Sequence, residues 1–324
     1  MLSVLLITFP FFALVLCGYL ATRAGALPVA AIGGLNSFVL YFALPAMLYR
    51  FGAQTPIAQL LDPAAAGVYL LCALIMVGGT VALTLRRRGW NDAAFGALVA
   101  AFPNSGFMGV PLLVALLGEH SAGTVILTLA VDMVITTSLC IALSRLGGGG
   151  DNGADGGGAH GVGVALRNAL RGMAANPMPW SIVLGGVASA LQWQLPEPVD
   201  KTLAMLAGAA SPVALFTIGA VLARSQMNQH EYVPPGQYVP IALAKLIAHP
   251  LLVWCVGRAA VALGFQITPF TLTVLVLLAA LPSASNVALL VERFGAHGGR
   301  VARVILVSTA LAFLSFSAAV ALMT

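Results

Sequence analysis

The stretch AAFPNSGFMGVPLLV, residues 100–114, lies inside an apolar run long enough to cross a bilayer and interrupts it halfway. Pro103 removes an intrahelical hydrogen bond and clashes with the preceding turn, while Gly106 and Gly109 weaken the helix that follows. In hydrocarbon the freed backbone groups find no water, so such a break survives only beside packed protein or a cavity. A second stretch, LAALPSASNVALLV at 278–291, repeats the pattern with Pro282, Ser283, Ser285 and Asn286. One break alone reads equally well as a proline kink with Asn104 bonded to a neighbouring helix. Two polar breaks at corresponding places point to two broken helices that cross, with Pro103 and Pro282 as the breaking residues.

That correspondence requires a chain of two similar parts. The 324 residues are 60% hydrophobic and only 8% charged, with a mean hydropathy of +0.99. Soluble domains carry about 25% charged residues, so the fold class expected is an all-α integral membrane protein. At about 20 apolar residues per span, ten transmembrane helices fall near 3–22, 30–50, 64–86, 94–117, 121–145, 174–193, 201–223, 238–262, 268–291 and 300–323. No strand-like alternation suggests a barrel. The first run lacks a basic leader and reads as a retained helix. Residues 147–173, opening GGGGDNGADGGGAHGVG, cannot bury enough apolar area to order themselves and read as a flexible cytoplasmic linker. They separate a first five-helix repeat, 1–146, from a second, 174–324. Five is odd, so two similar halves must lie in the membrane with opposite orientation, as inverted repeats with helices 4 and 9 broken. Weak similarities agree: ITFPFFALVLCGYL (7–20) with NPMPWSIVLGGVAS (176–189), and SFVLYFALPAMLYRFGA (37–53) with LAGAASPVALFTIGAVLA (206–223).

The charges orient the spans. One side holds Arg23, Arg86, Arg87, Arg88, Arg145, Arg167, Arg171, Arg224, Arg293, Arg300 and Arg303, and the other Arg50, Lys201 and Arg258. The positive-inside rule then places both termini on the non-cytoplasmic side, and the net charge of +5 reports topology rather than nucleic-acid binding. Cys17, Cys72, Cys140 and Cys255 lie in apolar runs and read as free, buried thiols, with no metal cluster and no cofactor indicated. The chain has no GxxxxGK[ST] for ATP hydrolysis and no HExxH, and four of its five histidines, His120, His230, His249 and His297, read as interfacial. Glu292 and Arg293 read as a cytoplasmic boundary. The composition points away from an enzyme and towards a secondary transporter.

Asn104, Ser105 and Gly106 in one break, with Ser283, Ser285 and Asn286 in the other, are the substrate-binding candidates. Amide and hydroxyl donors at the positive ends of half-helices can surround a carboxylate without a fixed cation. Asn36, with Ser37 and Tyr41, can line the same cavity from helix 2, or serve as interhelical glue. Asp132 and Lys245 are the ionisable residues within spans and the candidates for coupling to H+. Their alternative is an ion pair within the bundle, or two separately solvated groups.

The stretches LNSFVLYFALPAMLYRFGA (35–53), NSGFMGVPLLVALLG (104–118), NPMPWSIVLGG (176–186), SPVALFTIGAVLA (211–223), KLIAHPLLV (245–253) and LPSASNVALLVERFG (281–295) jointly resemble the auxin efflux carrier family. That resemblance spans residue 5 to the end. It implies a bacterial inner-membrane carrier of small organic carboxylates, such as dicarboxylates or auxin-like acids, in contact with lipid and often homodimeric. It further implies a scaffold of helices 1, 2, 6 and 7, and a transport domain of helices 3–5 and 8–10 moving as an elevator. The short linker makes a dicarboxylate a better match than the plant hormone. A sodium-coupled symporter of the bile-acid type and a non-transporting membrane receptor on the same scaffold are the alternatives.

Overall fold

In a computed structural model, residues 2–55, 62–146, 177–227 and 233–323 are described; the linker at 147–173 and His230 lie outside them. The elements are α1 (Leu2–Arg23), α2 (Ala31–Gln54), α3 (Pro63–Ala101), α4 (Ser105–Leu117), α5 (Glu119–Arg145), α6 (Pro177–Ala190), α7 (Glu197–Met227), α8 (Val239–Ala262), α9 (Pro269–Ala280), α10 (Val287–Phe294) and α11 (Gly298–Met323). Among the described residues every regular element is helical, and six stretches are long and apolar enough to cross a membrane. Large apolar side chains such as Phe9, Leu74, Leu251, Trp254 and Leu314 point outward, which suits lipid and not water.

The third and fourth expected spans run together as α3, whose 39 residues would reach roughly 58 Å if straight. Gly89, at φ +73°, turns the chain directly after Arg86, Arg87 and Arg88 and so divides α3 into a full span and a half-helix. A side chain resists that φ, and glycine does not. The Asp62 carboxylate starts α3 by accepting from the backbone N–H groups of Ala64 and Ala65.

Two sets of helices can be told apart by their packing. α1 lies on α7, and α2 lies on both α6 and α7. The contacts are close because glycines face backbone. A Cβ on Gly219 would stand 1.9 Å from the Val15 carbonyl, and one on Gly185 would stand 2.6 Å from that of Tyr49. Small residues are what permit such approach where helices share no hydrophobic drive to associate. Arg50 pairs with Asp200 at 3.5 Å, and the Ser189 hydroxyl donates to the Thr55 carbonyl at 2.7 Å, which ties the same helices at their ends. The second set, α3, α5, α8, α9 and α11, surrounds the two breaks. At one end of this set Arg300 reaches Asp92, Asn91 donates to the Phe294 carbonyl, and Arg145 covers the Phe294 ring.

Three expectations fail. Cys17 and Cys255 are exposed, and only Cys72 and Cys140 are buried; a helix apolar on all sides carries no signal for which face turns outward. Ser37 and Tyr41 point away from the interior, Tyr41 being 58% exposed. His249 is not interfacial but fully buried in the middle of α8.

Candidate functional site

The chain leaves helical geometry at Phe102–Asn104 and again at Leu281–Asn286. The two extended pieces meet antiparallel at Pro103 and Ser283. The Asn104 N–H donates to the Pro282 carbonyl at 2.8 Å, and the Ala284 N–H donates to the Phe102 carbonyl at 3.0 Å. The Ser283 N–H donates to the Ser308 hydroxyl of α11 at 3.2 Å. Groups freed by one proline are thus satisfied by the other break, as hydrocarbon demands. Gly109 makes the approach possible, because a Cβ there would already touch the Leu281 and Leu278 side chains at 3.0 and 3.1 Å.

Each break ends in a new helix, and an asparagine stands at the N-cap of each. Asn104 precedes α4 and Asn286 precedes α10, and neither side chain caps its own helix. Asparagine at this position normally spends its oxygen on the N2 or N3 amide; here it does not. Ser105 Oγ, Ser283 Oγ and Asn286 Oδ1 are buried without a hydrogen-bond partner among the described residues. Polar atoms in that state are costly to bury.

A cavity of about 390 Å³, counting its solvent-open mouth, lies between the two sets of helices. Ser285 and Asn286 of the second break and Ala288 of α10 line one wall, with Phe107 of α4. Asn36 and Val39 of α2, and Ala214, Thr217, Ile218, Val221 and Arg224 of α7, line the other. The structure therefore brings Asn36, Ser285 and Asn286 together. It keeps Asn104, Ser105 and Ser283 in the buried crossing behind the cavity, and Gly106 against the Leu129 side chain. Thr217 and Arg224 were missed. Their spacing with Ala214, Ile218 and Val221 places all five on one helical face, but Arg224 at a span end reads first as a topology marker.

Asp132 and Lys245 sit elsewhere, in the core of α3, α5 and α8, and both are fully buried. They do not pair directly. Asp132 accepts from the Tyr69 hydroxyl at 2.6 Å and from Thr136 at 3.0 Å. Lys245 donates to the Ala279 carbonyl at 2.6 Å, and its Nζ lies 3.2 Å from His249 Nδ1. Ala279 belongs to the last turn of α9, where carbonyls lack helical partners and a cation is favoured. Lys245 thus ties α8 to the helix end that leads into the second break. The ion pair and the solvated pair expected as alternatives are both replaced by separate hydrogen-bonded groups. Tyr69, Thr136 and His249 were not foreseen, since packing alone selects them.

A profile of the family described as membrane transport protein matches residues 4–320. A Rhizobium meliloti (strain 1021) protein described as "Putative malonate transporter" is 32% identical over 307 residues, which cover 93% of this chain and 90% of that protein. The Escherichia coli (strain K12) "Uncharacterized transporter YfdV" is 26% identical over 294 residues, 89% of this chain and 87% of its own length. An "Uncharacterized transporter" of Methanothermobacter thermautotrophicus is 26% identical over 310 residues, covering 93% and 92% of the two chains.

Proposed function

The chain belongs to the membrane transport protein family, that of the auxin efflux carriers, and from that premise we propose that it is a secondary transporter of small organic carboxylates. It is a multi-pass membrane protein of a transporter family, and not an enzyme. The observation that carries the proposal is the cavity itself, which has Ser285 and Asn286 of a broken helix on one wall and α2 with α7 on the other. The α10 N-terminus supplies the positive end of a helix dipole, and Asn286, Ser285, Asn36 and Thr217 supply uncharged polar groups. Such a site holds a carboxylate by several moderate bonds and can release it.

The helix sets suit two bodies that move against each other: a scaffold of α1, α2, α6 and α7, and a transport group carrying both breaks. In the inverted-repeat reading each body takes one part from each half of the chain. An elevator shift of the second body would carry the crossing, with its substrate, from one face to the other. Malonate, in the printed name of the Rhizobium meliloti relative, is the first compound to test. The orientation read from the arginines puts Gly157 in the cytoplasm; a cysteine there should be labelled by an impermeant thiol reagent only in opened cells, and labelling of intact spheroplasts overturns it. A homodimer, implied by the family likeness, is checked by the mass of the purified protein in lipid nanodiscs, where a monomer refutes it.

Proton coupling is assigned to Asp132, because a buried carboxylate bonded to Tyr69 and Thr136 can take up and return a proton within a moving body. The test is uptake of labelled malonate into proteoliposomes under imposed pH gradients. The expected result is uptake that follows the pH gradient in the wild type and loses that dependence in Asp132→Asn. No carboxylate uptake under any gradient refutes the transport reading. An unchanged pH response in Asp132→Asn refutes only the coupling role.

A further inference from the structure

His249 of α8 is fully buried, and nothing in the transport reading uses it. Pro250 beside it has no N–H to offer the Leu246 carbonyl. Just before it the helix widens into the π-turn Ala244–Ala248, with the His249 N–H on the Ala244 carbonyl. Lys245 and His249 share a face there, Nζ lying 3.2 Å from Nδ1. That is the imidazole's one hydrogen bond among the described residues, because Nε2 is buried with no partner. Lys245 donates in turn to the Ala279 carbonyl at 2.6 Å, in the last turn of α9. α9 leads directly into the break that carries Ser285 and Asn286 to the cavity. Around the pair, α3 contributes Tyr69, its ring 6.2 Å from that of His249, and, one turn on, Cys72. α5 contributes Asp132, α9 has no titratable side chain, and α11 has only Arg300 and Arg303, in its first two turns.

We infer that His249 is a positioning residue: its Nδ1 holds the Lys245 ammonium on the Ala279 carbonyl and so fixes the end of α9 from which the substrate-binding break departs. This rests on the transport reading above and adds to it a residue outside the cavity lining. An ammonium can only donate, so Nδ1 accepts from it and the ring hydrogen sits on Nε2. That N–H goes unmet in the interior, a cost that a leucine of similar bulk would not carry. A ring kept here for packing alone would bear the cost to no purpose. A ring kept for its acceptor bears it because the same imidazole supplies Nδ1. Without Nδ1 an ammonium hydrogen would lose its acceptor, and a buried cation short of acceptors is drawn away towards others. The end of α9 would then be held by packing alone, just ahead of the extended stretch that begins at Leu281.

Two replacements of opposite character test this. His249→Asn puts an amide oxygen where Nδ1 stands, and His249→Leu keeps the bulk but removes the acceptor. In proteoliposomes His249→Leu should raise the malonate KM about tenfold, the size of one lost hydrogen bond to a charged group, with the maximal rate changed less. His249→Asn should keep a KM near that of the wild type and the same response to a pH gradient. A packing histidine gives the reverse order, since leucine fills a core and an amide is buried there at a cost. Because His249 acts through Lys245, adding His249→Leu to Lys245→Met should raise the KM no further, and additive losses overturn the proposal. A readout that needs no transport is labelling of Ser285→Cys by a small methanethiosulfonate reagent, in a chain whose four native cysteines are replaced by alanine. Labelling should be faster with His249→Leu and unchanged with His249→Asn; equal rates in the two overturn the positioning role whatever uptake shows. If His249→Leu does not fold, His249→Asn decides alone. Normal KM and labelling support the role, whereas a raised KM, or a normal KM with the pH response lost, overturns it. A wild type that takes up no carboxylate refutes the transport reading, and the labelling rates still decide the position of the break.

Discussion

Asn104 and Asn286 occupy the same local position, each the N-cap of a helix that restarts after a proline, yet their surroundings differ. Asn286 lines the cavity, whereas Asn104 is 3% exposed and sits behind it. The two should therefore respond differently to the same change. Asn286→Ala removes a hydrogen bond to a charged ligand, worth roughly 1.5–3 kcal/mol, so malonate affinity should fall about ten- to hundredfold with the melting temperature little changed. Asn104→Ala removes a buried polar side chain from the crossing and should lower the melting temperature, with a smaller loss of affinity. Thermal melts and binding isotherms on the same purified variants check both, and an Asn286→Ala protein that binds normally would remove that residue from the site. Polar residues inside an apolar run are conspicuous, which is why Asn36, Ser285 and Asn286 were legible in the sequence. Arg224 was not, because an arginine at a span end has a sufficient explanation in topology. Tyr69 and His249 were not, because what makes them notable is the company of Asp132 and Lys245, and only packing supplies it.

Among the elements, the breaks were the most legible feature, since proline followed by serine and asparagine has a backbone consequence wherever it stands. Helix faces were the least legible. A helix that touches lipid on one side and protein on the other is apolar on both, so periodicity cannot say which side is which. The same uniformity hides the five-residue π-helical segments at Val39–Ala43, Ser105–Gly109, Asp132–Thr136 and Ala244–Ala248. Each begins at or contains a residue of the cavity, the crossing or the buried polar cluster. Such segments often accompany functional sites. What does follow from the close helix pairs is a test of packing. On α7, a Cβ at Gly219 would collide with the Val15 carbonyl at 1.9 Å, whereas one at Gly208 would meet nothing within 4 Å. Gly219→Ala should destabilise by about 1–3 kcal/mol or more, as overpacking does, because the colliding atom is backbone and cannot step aside. Gly208→Ala should be neutral or slightly stabilising. Chemical denaturation in detergent of the two variants side by side checks the contrast, and equal stability would mean α1 and α7 are not held this closely.

For the molecule as a whole, the division into two moving bodies is the part of the proposal that neither composition nor local geometry can supply. It predicts that contacts between the bodies must break during each cycle, whereas contacts within a body need not. The Thr8 hydroxyl of α1 lies 3.3 Å from the Ser317 hydroxyl of α11, both buried, and this contact joins the proposed scaffold to the proposed transport group. A disulfide needs a Cβ separation of about 3.5–4.5 Å, and hydroxyls 3.3 Å apart bring the two positions close enough to test one. In a chain whose four native cysteines are replaced by alanine, Thr8→Cys with Ser317→Cys should cross-link on oxidation. Uptake in proteoliposomes should then stop, and a reductant should restore it, while each single cysteine variant keeps its uptake under the same oxidant. Arrest with recovery shows that α1 and α11 slide past each other in every turnover. Full transport by the cross-linked protein would instead place both helices in one rigid body, and the motion would have to be sought within the group that carries the two breaks.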